Sequence, residues 1–466
     1  MFYHINGFIK ELNNLKKYPS ILNLARKFLS LIPLSHRLGK VFWDWYAFFE
    51  ESEGWDLQKI EEFQFDQLMV LLKELNDTSI YYQNILSTVN FQKISSFSEF
   101  SNLVPTMTRS DFRQNYDVII NKKWKNLRIF ESQTSGTTGS PLQFYHNYDD
   151  QYREWAAICH QWKRVGYIPG VSRRAEFRGL TINGKLIEFY PNHNMLRCSI
   201  LHMKKNHIEY YAEEIVKNRI DFFHGYPSAL YLLAVGVIGH RINFPEPKSI
   251  LLASEMVYDW QIERIQEAFP NTKIFAHYGC AERTILGGWC EFRNEYHVLP
   301  QYSYIEFDQK SGEIIGTNLF NSINGFIRYR MTDQVKESSL EICPDCHRPY
   351  IPRLLDFSGR TEDFLFSPEK GWIPLAIVTY PLKSIQTLED IQFVQEEKGL
   401  IIIKYISSFA STEQLKSDLG KLEAGLKKIF GNSMKFKFKI VDEFERGPTG
   451  KFKWIISKLV ENPREL

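Results

Sequence analysis

"FESQTSGTTGSPLQF", Phe130–Phe144, sets Ser and Thr hydroxyls, two glycines and a proline between two short runs with aromatic anchors. Glycines let a backbone come close to a ligand and turn its N–H groups inward, and interleaved hydroxyls add donors, a combination suited to a triphosphate. The stretch reads as a phosphate-holding loop between strand-like segments. It is not a Walker loop, because GxxxxGK[ST] occurs neither here nor at "GPTGKFKW", residues 447–454.

Upstream of the loop, residues 1–95 read as mainly helical: Leu68, Leu71, Leu72 and Leu75 fall at i, i+3, i+4 and i+7, and "NDTS" at 76–79 stops the run. From Lys122 to Ser358, β-rich runs such as "IDFFHGY", "SILLAS" and "TKIFAHYG" alternate with helical stretches such as "YDWQIERIQEAF". That alternation predicts parallel strands with crossover helices, an α/β core. Beyond "DFSGRTEDFLF" the pattern changes. "IQFVQ" and "LIIIKYI" flank a turn at "EEKG", Leu415, Leu419, Leu422, Leu426 and Ile429 form a helical stripe opened by Thr412, and "KFKFKIV" alternates as a strand. The expected architecture is a large α/β domain, 1–358, with a helical opening section, followed by a small α+β domain, 359–466. No internal repeat or low-complexity tract is visible.

Composition narrows the function classes. Lys plus Arg number 57 against 55 Asp plus Glu, so no general polyanion-binding signal is present and nucleic acid is not an expected partner. The opening residues lack the apolar core of a signal peptide, and the longest apolar run, near Leu230–Ile238, is far short of the ~20 residues that span a bilayer. A cytoplasmic protein without a transmembrane segment is expected. The mixed basic and aromatic stretch "ARKFLSLIPLSHRLGKVFWDWYAFF", residues 25–49, reads as ordinary packing, with membrane contact left open. Six cysteines in so long a chain are no disulfide framework.

Five motifs follow one another: "SQTSGTTGSP", "HYGCAE" at 277–282, "YRMTDQV" at 329–335, "SGRTEDFLF" at 358–366 and "RGPTGKFKW" at 446–454. Their order and spacing resemble the adenylate-forming superfamily of acyl-CoA synthetases. "HGYPSALY", "LLASEMV", "CEFRNEYHV" and "GPTGKFKW" are similar to the branch of phenylacetate-CoA ligases and capsule-biosynthesis CapK-like proteins. That branch commonly lacks the lysine that the wider superfamily carries after the glycine loop, and here Pro141 is followed by Leu142.

The resemblance implies roles. Thr134, Ser135, Gly136, Thr137, Thr138 and Gly139 would hold the β- and γ-phosphates of ATP, and Glu282 the Mg²⁺, which prefers a hard carboxylate. Asp333 would accept both ribose hydroxyls, with Arg360 near the ribose and phosphates. Ser254 and Glu255 would frame the adenine, and Tyr278 would stack on it. Lys451 would bridge the substrate carboxylate and the α-phosphate, and Asp363 would be the pivot on which the mobile small domain swings between half reactions. His224 and Tyr226 would border the acyl pocket.

A second constellation is metal-like. "CPDCHRPY" gives Cys343 and Cys346 the CxxC spacing that aims two sulfurs at one ion, and Cys290 and His297 of "CEFRNEYH" could complete a closed Cys₃His zinc site, with His347 an alternative fourth ligand. Cys280 could line the nucleotide pocket instead. A site with four protein ligands has no open position and is structural.

The resemblance thus implies an ATP-dependent ligase joining a small carboxylic acid to CoA through an acyl adenylate. Its alternatives are acyl transfer to an amine or hydroxyl of a polysaccharide precursor and, remotely, an inactive nucleotide-binding scaffold. Retention of Glu282, Asp333, Arg360 and Lys451 argues against the scaffold. The sequence leaves a homodimer open.

Overall fold

A computed structural model describes residues 31–121, 123–124, 129–133, 142–178, 185–199, 205–360, 364–374, 378, 381–382, 385, 387–388, 390–407, 412–444 and 453–459. The chain opens with helices α1 (Gly39–Ser52) and α2 (Leu57–Thr78). Asp56 starts α2 by accepting from the Lys59 N–H at 2.8 Å, and the expected leucine stripe is its buried face. The helix ends where Ser79 turns extended and caps the next helix. "NDTS" is thus a stop and a restart.

A hairpin of β1 (Ile129–Gln133) and β2 (Gln143–Asn147) brackets the glycine-rich stretch, with Gln133 opposite Gln143. The Asn147 side chain then caps α3 (Tyr148–Trp162) in a reciprocal capping box with Asp150.

The main sheet has twelve strands. Its first half holds β3 (Arg174–Arg178), β4 (Ile187–Tyr190), β5 (Met195–Ser199), β6 (Phe222–Gly225), β7 (Ser249–Ala253) and β8 (Lys273–Gly279). Strands β5, β3, β6, β7 and β8 run parallel, in that spatial order. Helices α4 (Lys205–Lys217), α5 (Pro227–His240) and α6 (Asp259–Ala268) provide the crossovers. The α/β expectation holds this far.

The parallel pairing expected up to Ser358 stops at β8, while the later strands continue the same sheet. Strands β9 (Leu286–Trp289), β10 (Tyr296–Val298), β11 (Ser303–Phe307), β12 (Glu313–Asn318), β13 (Tyr329–Ser339) and β14 (Arg353–Arg360) extend the same sheet with antiparallel pairings throughout. No α-helix lies between β9 and β14, and their short connections can join only antiparallel neighbours. The twelve-stranded order is therefore β11-β12-β13-β14-β10-β9-β8-β7-β6-β3-β5-β4.

The C-terminal part has its own sheet and core. Strands β15 (Phe364–Ser367) and β16 (Gly371–Pro374) form a hairpin, and β17 (Asp390–Glu397) and β18 (Leu400–Ile406) another, with Gly399 at φ +89° in its turn. Helix α7 (Thr412–Phe430) carries the chain across to β19 (Lys435–Ile440), parallel to β18, and β20 (Ile455–Ser457) closes the four-stranded sheet beside β17. Leu422, Leu426 and Phe430 of α7 are fully buried there with Phe393, Ile401 and Ile403. Tyr258 and Trp260 join this second core from the α6 region, and Trp260 meets Trp454 edge-on at 5.4 Å between ring centroids.

Candidate active site and metal centre

Strand β8 delivers Tyr278 and then turns through Cys280 and Ala281 to Glu282. Glu282 is buried, and Tyr329 Oη donates to its Oε1 at 3.2 Å. Its backbone carbonyl accepts from Asn318 Nδ2 at 3.3 Å. The next residue, Arg283, sits in left-handed backbone (φ +57°), and its buried guanidinium pairs with Glu154 at 2.9 Å. Ala281, the residue before, has its carbonyl 2.9 Å from His146 Nε2. Burial and the Arg283 charge push the His146 pKa down to about 3, so its imidazole is neutral. Burial pushes the Cys280 thiol up to about 12, with the Glu282 charge adding to it. Its sulfur lies 3.2 Å from Thr284 Oγ1, an inert packing role.

Asp333 lies on β13, an inner strand, with Tyr329 and Met331 buried on the same face. Tyr278 Oη donates a short hydrogen bond to Asp333 Oδ2, and Arg360 of β14 stands directly opposite Asp333 in register. The Tyr278 ring packs on Phe357 at 4.6 Å between centroids. Ala253 pairs with His277, so Ser254 and Glu255, just past the end of β7, lie at the same sheet edge as Tyr278; Ser254 takes φ +70° there. Tyr278, Glu282, Asp333 and the Ser254–Glu255 turn thus converge at one end of the sheet, from segments up to 79 residues apart. Ligand sites of open α/β sheets sit beyond the strand carboxyl ends.

His224, on β6, lies deeper. Its Nδ1 is 2.8 Å from the Leu251 carbonyl, and its ring stacks on His277 and meets Trp162 at 5.0 Å. Tyr226 is buried at the N-cap of α5. Thr134–Gly139, Asp363 and Lys451 lie outside the described residues, as does the side chain of Arg360. Reading the sequence for motifs missed Tyr329, Asn318, His146 and the Arg283–Glu154 pair. Tyr329 had a signal, since it opens "YRMTD" and shares the period-2 face of Asp333. The others had none.

Cys290, His297, Cys343 and Cys346 come together in the structure. Cys290 follows β9, His297 lies on β10, and Cys343 and Cys346 occupy the turn after β13. Their four ligand atoms lie within 4.8 Å of one another. Cys290 Sγ is 4.0 Å from Cys343 Sγ, and Cys346 Sγ is 3.6 Å from His297 Nδ1. A tetrahedral zinc with Zn–S of ~2.3 Å and Zn–N of ~2.05 Å needs edges of roughly 3.8 and 3.6 Å, so these spacings fit the ion. Burial, with Arg164, Arg353 and Arg348 nearby, pushes the His297 pKa down to about 3, the neutral ligand form, and its Nε2 has no hydrogen-bond partner among the described residues. His347 is exposed and outside the cluster; its N–H closes the turn on the Cys343 carbonyl at 3.0 Å.

Arg348 then ties this lobe to the rest, forking onto Glu291 at 2.7 Å and also binding Glu53 at the end of α1. Glu53 and Glu50 in turn flank the buried His160 at 3.3 and 3.4 Å. Arg348 and Lys163 already neutralise these two carboxylates, which makes the trio an ion-pair network.

Residues 365–458 match the family model described as the CapK C-terminal domain. Over 422 residues, 87% of this chain and 90% of its relative, the sequence is 24% identical to protein CapK of Staphylococcus aureus. By sequence the chain is related to CapK, and its fold is that of the adenylate-forming ligases. A second relative of this adenylate-forming ligase is the indoleacetate–lysine synthetase of Pseudomonas savastanoi, 23% identical over 352 residues, 71% of this chain and 82% of the relative. The fold of the CapK-like chain is shared with a 2-hydroxyisobutyryl-CoA ligase in its postadenylation state with R3-HIB-AMP, at a TM-score of 0.65, 16% identity and coverage of 85% of this chain and 89% of that one. The same ligase in its thioesterification state superposes at a TM-score of 0.51 and 17% identity, over 86% of this chain and 90% of that one. No helix among the described residues is long and apolar enough to cross a membrane.

Proposed function

We propose that this adenylate-forming ligase brings a carboxylate oxygen onto the α-phosphorus of ATP, expels pyrophosphate and passes the acyl group of the adenylate to a nucleophile. The observation that carries this reading is the convergence of Glu282, held by Tyr329, with Asp333, held by Tyr278, at one end of the sheet. Adenylation needs mainly positioning and charge neutralisation, and both acids are buried and fixed before any ligand arrives. Asp333 would take the ribose hydroxyls, with Arg360 across the strand pair, and Ser254 and Glu255 would flank the base. Residues 134–139 would hold the phosphates. Mg²⁺, when bound, would neutralise phosphate charge, and the hard carboxylate of Glu282 is the ligand that would suit it. We divide the chain near residue 359, with the catalytic lysine in the small part. The Cys₃His cluster would hold a structural Zn²⁺ remote from this chemistry.

Tyr278→Phe tests the ribose acid. A hydrogen bond to a charged group is worth about 1.5–3 kcal/mol, so ATP affinity should fall roughly tenfold or more. Unchanged affinity would remove Asp333 from the nucleotide site.

For the acceptor we place an amine or hydroxyl ahead of CoA. One of the two sequence relatives favours this, since by its name it joins an acid to lysine. CoA is the second reading, supported by the shared fold with a CoA ligase. The acid is identified by ATP–pyrophosphate exchange across a carboxylate panel that includes indole-3-acetate. With that acid, consumption of an added amine or amino sugar but not of CoA thiol is expected. Thiol consumption alone would reverse the order, and no exchange with any acid would sink adenylation.

A further inference from the structure

The backbone carbonyl just before Glu282 is held from a strand distant in sequence. Ala281 O lies 2.9 Å from His146 Nε2, a contact spanning 135 residues of chain. His146 is 1% exposed on β2, the strand that follows the glycine-rich stretch in sequence. Its other nitrogen, Nδ1, lies 3.3 Å from Asn321 Nδ2.

The Asn321 carboxamide has a fixed sense. Its Oδ1 accepts from the backbone N–H groups of Ile323 (3.0 Å) and Asn324 (3.2 Å) and from Asn324 Nδ2 (3.2 Å), which leaves Nδ2 as the end facing the imidazole. Nδ2 also reaches the carboxylate of Asp150 at 3.2 Å and the Tyr145 carbonyl at 3.4 Å, acceptors both. The Ala281 carbonyl can only accept, so the ring proton of the neutral imidazole is on Nε2 and is donated to it, which leaves Nδ1 the acceptor that faces the Asn321 amide. The tautomer is set by a chain of hydrogen bonds that ends on the backbone next to Glu282.

We propose that His146 is a positioning residue for the adenylation step: through Nε2–H it holds the Ala281 carbonyl and thereby fixes the Glu282 carboxylate where the nucleotide-bound divalent cation is met. The inference rests on the reading of Glu282 as the Mg²⁺-binding acid. Nothing else on β2 reaches this turn by a side-chain hydrogen bond among the described residues. Groups that orient a metal ligand are typically worth 10- to 100-fold in metal affinity or activity.

Two amide replacements separate the contacts. His146→Asn puts its carbonyl oxygen where Nδ1 was and keeps the Asn321 partner, but is too short to reach Ala281. His146→Gln puts an NH₂ near the Nε2 position and keeps the donor to Ala281. In the full chain, ATP binding is followed by titration calorimetry as a function of Mg²⁺ concentration, with ATP and Mg²⁺ as the only probes and thermal midpoints taken in parallel. His146→Asn should raise the Mg²⁺ concentration for half-maximal ATP binding about tenfold, and His146→Gln should stay within about threefold of wild type. A merely structural role would lower the midpoint in both variants without splitting their Mg²⁺ dependence, and that result, or equal Mg²⁺ dependence in both, overturns the proposal. If neither variant folds, the proposal falls too, because His146 is then a core residue first. Glu282→Gln is the control. If it leaves the Mg²⁺ dependence of ATP binding unchanged, the reading of Glu282 fails by itself, whatever the two His146 variants do.

Discussion

Lys451→Ala is expected to lower carboxylate-dependent ATP–pyrophosphate exchange by about 10²- to 10⁴-fold, the range reached when a preorganised charge is removed from a developing anion. During adenylation negative charge gathers between the attacking carboxylate and the α-phosphate. A lysine there is a compact cation on a flexible stem, able to reach both. The same variant should transfer the acyl group from a supplied acyl adenylate within a few-fold of wild type, because the second half reaction in this superfamily follows a swing of the small domain that withdraws the lysine. ATP affinity should also hold, since Tyr278, Glu282 and Asp333 belong to the large sheet and its adjoining turn. The nearest described anchors are Lys453, whose carbonyl accepts from Gln392 Nε2 at 2.9 Å, and Trp454, which packs on Trp260 and whose carbonyl accepts from the Phe393 N–H at 2.8 Å. Exchange at the wild-type rate in Lys451→Ala would return "GPTGK" to an ordinary turn. Equal loss in both half reactions would show a role in folding or nucleotide binding instead.

Cys343→Ser is expected to remove one equivalent of zinc per chain and to lower the thermal midpoint by roughly 4 °C, the shift that follows from about 3 kcal/mol in a domain of about 350 residues. A serine oxygen is a poor replacement for a thiolate at a Zn–S distance, and three remaining ligands cannot close the shell. The loss should spread, because Arg348, two residues past Cys346, joins this lobe to Glu53 of the opening helices and to Glu291. Chelator treatment of the wild-type chain should reproduce the shift. Activity per folded molecule should survive better than stability does, since no cluster ligand hydrogen-bonds Glu282 or Asp333 among the described residues. Elemental analysis that finds no metal in the wild-type protein would remove the idea. So would a Cys343→Ser chain with unchanged metal content and midpoint.

The two acids of the site were legible one at a time. Glu282 and Asp333 sit in short motifs that the family resemblance picks out, so local sequence carries them as candidates. Their holders were not legible. In sequence Tyr278 reads only as a ring for the base and Tyr329 only as the opening of "YRMTD", while Asn318 and His146 are polar residues of kinds that occur anywhere in a core or a turn, and only a fold that brings residue 146 to residue 281, or 278 to 333, gives them these contacts.

Sequence alone determined the opening helices, the parallel strands as far as Gly279 and the small C-terminal unit, because each rests on a short-range period or a turn residue that acts within a few positions. It also determined the CxxC spacing, a local property of one turn. The tertiary structure decided the rest. It turned the sheet antiparallel after β8, where short connections rather than strand composition set the direction. It brought Cys290 and Cys343, 53 residues apart, to 4.0 Å by closing β10 between β9 and β14. The physical reason is common to both: pairing of strands distant in sequence is fixed by the burial of the whole sheet, an energy shared among many residues and written in no single stretch.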